Sequence, residues 1–369
     1  MERLKIAYIM HVDWAWIKQR PHFIAEELRK KYIVDIFWVK NFRNELKLVH
    51  KGEKKKGFHF IKVPFSARSK LSRYLEKLIN KRLVRKLKNE KYDIIWLTSP
   101  IIMQFIDLNE ISSQIIIYDC MDDALAFNQK EKIKNNIEAN EKKLVLCSSV
   151  IFTSSNNLKE KLIFRYGNSN NQYTLNNAIT NDYLSFARKK SNDLKAINHK
   201  KIKKIFYFGT ISDWFDFDLL LWVLDQNKEI SFTLIGPVDT KIPKHPRIIY
   251  VNAVSHLELL RMSEEADAFI MPFKKNELID SVNPVKLYEY LCFSKPVFTV
   301  YYDELKQFEK YVFFFKSKEE LLLQIDKSVR SSIESPLKFL EDNTWERKTE
   351  EIFEIISQVK IRKGEKNEN

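Results

Sequence analysis

Glycine is scarce in this chain. Its 369 residues include six glycines, where average usage of about 7% would give roughly 26. Gly52, Gly57, Gly167, Gly209, Gly236 and Gly364 never stand at GxGxxG or GxxxxGK[ST] spacing, which excludes a standard dinucleotide fingerprint and a Walker A loop. Cysteine is thin as well. Cys120, Cys147 and Cys292 form an odd set with no CxxC pair, so a disulfide framework and a zinc ribbon are excluded and a reduced, cytosolic chain is expected. No apolar run approaches the roughly 18–20 residues of a membrane span. The opening MERLKIAYIMHVDW lacks a signal-length apolar core and a small-residue cleavage site. A cytoplasmic protein is the expectation.

Hydrophobic residues at 44% and charged residues at 30% indicate a globular chain, and the length suits two domains. The net charge is +14, which points to an anionic partner. The excess is concentrated. Between Arg68 and Lys91 lie Arg68, Lys70, Arg73, Lys77, Lys81, Arg82, Arg85, Lys86, Lys88 and Lys91, against Glu76 and Glu90. Leu71, Leu75, Leu78, Ile79, Leu83 and Leu87 thread through them at helical spacing, which predicts a basic amphipathic helix. The plain reading is a solvated face. The sharper one is docking on anionic lipid headgroups, at roughly 1 kcal/mol for each cation near the surface. That places the protein peripherally on the inner face of the membrane. No nucleic-acid motif accompanies the charge, so nucleic acid is not an expected partner.

Short apolar runs alternate with helical segments along the chain. Leu4–Met10, Ile33–Val39, Phe58–Val63, Ile94–Thr98, Ile115–Tyr118 and Val150–Thr153 read as strands. Pro21–Lys30, the basic segment, Glu131–Leu146 and Asn156–Phe164 read as helices. Polar residues dominate Ala187–Lys204, the expected linker. The pattern then restarts with strands at Lys204–Phe208, Ser231–Ile235, Ile248–Val251, Ala268–Met271 and Pro296–Val300. This is an α/β chain of two Rossmann-like, doubly wound halves with parallel sheets and an expected cleft between them. The expected division is 1–186, a linker over 187–203, 204–340, and a closing segment 341–369 that ends in a disordered tail. In such sheets ligands bind beyond the carboxyl ends of the strands.

Two glycines stand at strand ends, Gly209 in KKIFYFGTISDWFDFDLL and Gly236 in SFTLIGPV. A strand, then Gly209, then a helix start capped by Ser212 or Asp213 would let backbone N–H groups approach a phosphate. Taken alone, Gly209 reads as an ordinary tight turn. The segment ADAFIMPFKKNELIDSVNPVKLYEYLCFSKPVFTV, residues 266–300, is richer. Pro284 suits the first helical position and Asn283 the N-cap. Lys286 then falls in the first turn, where a bound anion would favour it. Glu289 lies three residues on, on the same face. Its carboxylate can accept both hydroxyls of a ribose while Lys286 meets a diphosphate. A lone Lys–Glu helix pair is usually a surface ion pair; the whole phrase is more specific.

That phrase resembles the nucleotide-binding signature of the GT-B glycosyltransferases, in the broad group around family 4. Glu289 matches the second acidic residue of the signature, and Ser294-Lys295-Pro296-Val297 stands for its GKPV turn. Ser281 occupies the place of the first acidic residue, a departure shared with transferases of teichuronic-acid, capsule and lipopolysaccharide assembly. Residues 205–224 and 246–262 resemble further elements, with Val251–Val254 against the base. Trp14 through Gln19-Arg20-Pro21-His22 resembles the "W...QRP" start, and Tyr118-Asp119-Cys120-Met121-Asp122-Asp123 the "YD..DD" element. The resemblance implies two facing Rossmann-like domains and transfer of a sugar from a nucleotide diphosphate donor, UDP-linked by preference. The acceptor it implies is a lipid-linked or growing surface glycan. Its donor-side set is Glu289, Lys286, Gly209, Thr210, Ser281, Val282, Asn283, Pro284 and Val251, and it also implies a closing helix that crosses back to the first domain. Arg20, near the start of the first helix, is a further candidate from its position, to hold donor phosphate or an anionic acceptor; its plain reading is a surface salt bridge.

His11 and Asp13 follow the first strand, and Asp119, Asp122 and Asp123 close the Ile115–Tyr118 strand. Clustered carboxylates raise one another's pKa, which suits a general base for an acceptor hydroxyl. The catalytic candidates are Asp122, Asp13, Asp119 and His11; their plain readings are caps and an ordinary histidine. Asp216-Phe217-Asp218 spells a DxD metal motif. Its helical setting would splay the two carboxylates apart, so no metal and no cofactor is expected. Retention and inversion both stay open. So do an epimerase of the same architecture and a non-catalytic nucleotide-sugar binder.

Overall fold

The computed structural model describes residues 3–15, 17–41, 57–64, 69–111, 113–167, 170–193, 201–328 and 334–367. Gly52, Arg68, Val329, residues 194–200 of the expected linker and the last two residues lie outside the described residues. The chain divides into two compact units, residues 1–176 with 345–369, and residues 177–344. The second unit thus begins ahead of the expected boundary at 186.

The first unit runs β1 (Lys5–Met10), α1 (Arg20–Lys31), β2 (Ile33–Asn41), β3 (Phe58–Lys62), α2 (Lys70–Asn89), β4 (Tyr92–Leu97), β5 (Ser113–Cys120), α3 (Glu131–Cys147), β6 (Val150–Thr153), α4 (Asn156–Tyr166) and β7 (Gln172–Thr174). Its strands are all parallel, in the order β3-β2-β1-β4-β5-β6-β7. From β1 the chain winds outward to β3, then returns to β4 on the other side. The switch point therefore lies at the carboxyl ends of β1 and β4. Both strands are buried almost throughout, as continuous apolar runs between helical layers should be.

The helix α2 packs in an unexpected sense. Its buried residues are Glu76, Asn80 and Leu87, and the polar pair serves the edge strand β3. Asn80 Oδ1 accepts from Ile61 N (2.8 Å) and Asn80 Nδ2 donates to Ile61 O (2.9 Å). Glu76 Oε2 accepts from Val63 N (2.9 Å). Side chains thus pair the unpartnered backbone of an exposed sheet edge. The cost is that Leu71, Leu75, Leu78 and Ile79 face outward.

The second unit runs α5 (Asn181–Asp193), β8 (Lys204–Phe208), α6 (Phe217–Gln226), β9 (Ser231–Ile235), β10 (Ile248–Val251), α7 (His256–Ser263), β11 (Ala268–Met271), α8 (Val285–Leu291), β12 (Val297–Val300), β13 (Phe313–Phe315), α9 (Lys318–Ser328) and α10 (Leu337–Asp342). Its parallel sheet has the order β10-β9-β8-β11-β12-β13, with the switch point between β8 and β11. The stretch expected to open a linker at 187 stays helical to Asp193, with Tyr183, Leu184 and Ala187 buried as the inner face of α5. The closing helix α11 (Trp345–Asn367) belongs to the first unit and packs on α1: Trp345 stacks on Phe23 at 5.4 Å and Phe353 meets Tyr32 edge-on at 5.1 Å.

Candidate functional site

In the second unit Gly209 and Lys286 meet at the switch point, with Gly236 against them, and Val251 closes the edge strand β10. Gly209 follows β8 with φ +155°, and a Cβ there would stand 2.8 Å from the Tyr207 hydroxyl. Gly236 follows β9 with φ +142°, and its Cβ would stand 2.2 Å from the Gly209 carbonyl oxygen. The two turns therefore touch backbone to backbone, an approach that only glycine allows. Thr210 is exposed, and its carbonyl accepts from the Tyr207 hydroxyl at 2.7 Å. Val251 ends β10, and its carbonyl accepts from Gly236 N at 3.0 Å.

On α8, Lys286 Nζ stands 2.6 Å from Glu289 Oε2. The Lys286 stem passes the Gly209 turn, its Cγ 3.6 Å from where a Cβ would be, and Nζ lies 5.3 Å from the Phe208 ring centroid. Glu289 is 8% exposed. Burial first, and then the Glu289 carboxylate, push the Tyr183 hydroxyl well above its usual range. Tyr290 fixes the end of β8, accepting from Phe208 N at 3.1 Å and donating to Phe208 O at 3.0 Å, as a neighbouring strand would.

Residues 281–284 differ from the expected cap. Pro284 itself is the N-cap of α8, with no side-chain cap bond. Asn283 is buried and turned to the interior, where Oδ1 accepts from Asn177 N at 2.9 Å and its carbonyl accepts from Asn177 Nδ2 at 2.5 Å. Ser281 is buried and donates to Glu277 O at 3.2 Å; Val282 N closes the turn on Ile279 O at 3.0 Å. The Ser294 turn adopts φ +52°. Lys295 Nζ there reaches the carbonyls of Glu264 and Ala266 at 2.5 Å, just past the end of α7. The lysine of this turn thus holds the fold together.

The first unit also collects its candidates at the carboxyl edge of its sheet. His11 follows β1: its N–H donates to Thr98 Oγ1 at 3.1 Å, and Nδ1 lies 2.9 Å from the same oxygen, bridging the β1–β4 switch point. Burial, and secondarily His22, lower the His11 pKa to about 4, so the ring is neutral at physiological pH. Asp13 Oδ1 accepts from Ala15 N at 2.9 Å within its own loop. Trp14 stacks on His22 at 5.1 Å, and His22 Nδ1 accepts from Gln19 N at 3.2 Å at the start of α1.

Arg20, the first residue of α1, is not at the surface as a donor-phosphate role requires. It is 2% exposed, and Nε and Nη2 donate to Asp119 Oδ1 at 3.0 and 2.8 Å while Nη1 donates to Leu175 O at 2.7 Å. Asp119 is fully buried, so both residues form part of the frame. Asp123 is likewise committed: burial works to raise its pKa, but Arg165, with two 2.8 Å bonds, and Lys161 outweigh that and lower it. Asp122 differs. It is partly buried, and its carboxylate takes no hydrogen bond from the described residues. Burial raises its pKa to about 7, with Asp119 and Asp123 adding to the shift and Arg20 opposing it. A carboxyl that titrates near neutrality can both accept and return a proton.

Within the DxD sequence, Asp216 has a structural contact. Asp216 is the N-cap of α6, its Oδ1 accepting from Leu219 N at 3.0 Å, in place of the expected Ser212 or Asp213. No cluster of three or more His, Cys, Asp or Glu suited to a metal ion occurs among the described residues. A cavity of about 720 Å³ between α2, α3 and residues 103–110 holds none of the catalytic or donor candidates. No described helix is long and apolar enough to cross a membrane. Thr98, Tyr183 and Tyr290 are not among the sequence-predicted candidates; Thr98 carries a signal in the sequence, as a hydroxyl closing a buried strand.

Similar structures cover this architecture end to end. The Anabaena Alr3699/HepE protein, solved with UDP and glucose, is 14% identical over 96% of this chain and 99% of its own, with a TM-score of 0.65. The sucrose-phosphate synthase of Thermosynechococcus elongatus is 13% identical over 98% and 100%, with a TM-score of 0.69. The chain has the GT-B fold. A UDP-N-acetylglucosamine 2-epimerase from Rickettsia bellii has the same fold, at 13% identity over 98% of each chain and a TM-score of 0.56. Among curated proteins, this GT-B chain is 25% identical over 132 residues to TuaH of Bacillus subtilis (strain 168), provisionally named a teichuronic acid biosynthesis glycosyltransferase. That match spans 34% of this chain and 33% of the relative, about a third of its length. No family model matches the chain.

Proposed function

We propose that this chain is a glycosyltransferase that moves a sugar from a nucleotide diphosphate donor, UDP-linked, to a lipid-linked or growing cell-surface glycan, without a metal. The observation that carries the reading is the Lys286–Glu289 pair beside the Gly209 turn at the switch point. The same fold holds UDP and glucose in the Anabaena protein, and the Bacillus relative bears a teichuronic acid transferase name. In this reading Glu289 accepts the ribose hydroxyls and releases Lys286 to the diphosphate, where a cation stabilises the charge of the leaving group. Gly209 and Thr210 leave the backbone open to the phosphates, Val251 lies against the base, and Ser281 to Pro284 shape the floor.

In the first unit, Asp122 is the general base. It takes the proton of the acceptor hydroxyl as that oxygen bonds to the anomeric carbon and the bond to the diphosphate breaks. His11, neutral and held by Thr98, and Asp13 orient the acceptor. The protein works at the cytoplasmic membrane face, with the cations of α2 toward anionic lipid.

The test is UDP release from UDP-sugars, with and without an acceptor fraction from cell envelopes. Acceptor-dependent release that rises with pH through about 7, and is lost in Asp122→Asn, supports the proposal. Interconversion of the donor sugar without acceptor overturns it in favour of an epimerase.

A further inference from the structure

Because Glu76 and Asn80 bond to the edge strand and Leu87 is buried with them, α2 turns an apolar stripe away from the protein. Leu71 is 68% exposed, Tyr74 60%, Leu75 44%, Leu78 47% and Ile79 51%. At 3.6 residues per turn these five fall within an arc of roughly 140°. The same face continues toward the carboxyl end of the helix with Arg82 and Arg85, and Lys70, Lys77 and Lys81 flank the stripe; all five are exposed and make no ion pair with a described residue. The only acidic residue within α2 is Glu76, which is buried on β3. Every outward charge on the helix is therefore positive.

We propose that the outward face of α2 inserts into the interfacial layer of an anionic lipid bilayer. The helix lies in the membrane plane, with Leu71, Tyr74, Leu75, Leu78 and Ile79 among the acyl chains and its cations on the headgroups. This deepens the membrane contact proposed above and rests on that reading only for the choice of the cytoplasmic leaflet. An apolar stripe bordered by Lys and Arg is the pattern of an interfacial helix, whose hold combines apolar burial with attraction to anionic lipid. Charge complementarity selects this occupant. A second copy of the same face would set Arg82, Arg85 and the flanking lysines against like charges, whereas a leaflet with anionic headgroups neutralises them.

The test is co-sedimentation of the full chain with vesicles of phosphatidylcholine alone and with about 30% phosphatidylglycerol, a fraction that supplies the surface charge on which such helices depend. Wild type is compared with Leu75→Gln/Leu78→Gln, which leaves the charge unchanged, and Lys77→Gln/Arg82→Gln. Both pairs are exposed, and unchanged melting without lipid confirms folding. The proposal predicts binding to the anionic vesicles that partly survives high salt. It also predicts at least a tenfold loss in the leucine variant, since burying one leucine is worth more than a tenfold change in partitioning. Three results overturn it: no binding by wild type, a leucine variant that binds as wild type does with all binding lost in salt, or a dimer that the leucine variant dissolves. A UDP-induced thermal shift, read on the same proteins without vesicles, tests the donor site separately, so either reading can fail without the other.

Discussion

Arg20 and Asp119, 99 residues apart in sequence, meet as a buried ion pair at 2.8 Å, with side chains 2% and 0% exposed. The pair fastens the start of α1 to the end of β5 and sets the level of the loop that carries Asp122. Removing one partner leaves a charge without its counterion in a buried site. Arg20→Ala and Asp119→Ala should each cost about 3–5 kcal/mol. Urea denaturation reads this directly, and an unchanged midpoint would remove the pair from the frame.

Two titrations should oppose each other in the pH dependence of stability. Folded Asp122 keeps its proton to about pH 7, while the unfolded chain loses it near 3.8. The folded state binds more protons between those values, so stability falls as pH rises through that window. Folded His11 stays neutral down to about pH 4, while the unfolded ring protonates near 6.5, so stability falls as pH drops through that range. Asp122→Asn should therefore gain on wild type as pH rises from 4 to 7. His11→Asn should gain on it as pH falls from 6.5 to 4. Melting temperatures across pH check both slopes, and parallel curves would contradict them.

Ser294 adopts φ +52° in the turn before β12, a left-handed conformation that costs an L-residue about 1–2 kcal/mol. Ser294→Gly removes that cost against a smaller rise in unfolded-state entropy. The expected gain is about 0.5–1 kcal/mol, read by denaturation. A loss would mean that the serine side chain contributes more than the strain costs.

Much of this architecture was legible because short buried strands write themselves as apolar runs: Val150–Thr153, Ser231–Ile235 and Ala268–Met271 read at their true bounds. β7 and β13 have three residues each, too few to carry a period. α5 hid behind Arg188, Lys189 and Lys190, although Tyr183, Leu184 and Ala187 form its buried side. The periodicity of α2 was visible, but not which side faced inward, because that was decided by Asn80 and Glu76 reaching β3. At the site, Lys286 and Glu289 were legible because helical spacing puts them together. Arg20 with Asp119 and Asn283 with Asn177 were not, because tertiary folding alone makes them neighbours.

Asp216 caps α6, so Asp216→Ala should cost about 1 kcal/mol of stability. Donor binding should be unchanged in the variant, and equal in wild type with and without EDTA. A UDP affinity that falls on chelation would return Asp216 and Asp218 to a metal-binding role.

In the proposed function Lys286 and Glu289 hold a nucleotide. The most direct test is a thermal-shift titration of wild type and Glu289→Ala with UDP, GDP and UDP-sugars. At about 100 times its dissociation constant a ligand stabilises the folded state by roughly 2.7 kcal/mol. A shift with UDP and UDP-sugars is expected in wild type, and its loss in a Glu289→Ala protein that still melts as a folded chain, whatever the cost of removing the buried carboxylate to its basal melting. A folded wild-type protein that no nucleotide stabilises, or a UDP shift undiminished in Glu289→Ala, would contradict it.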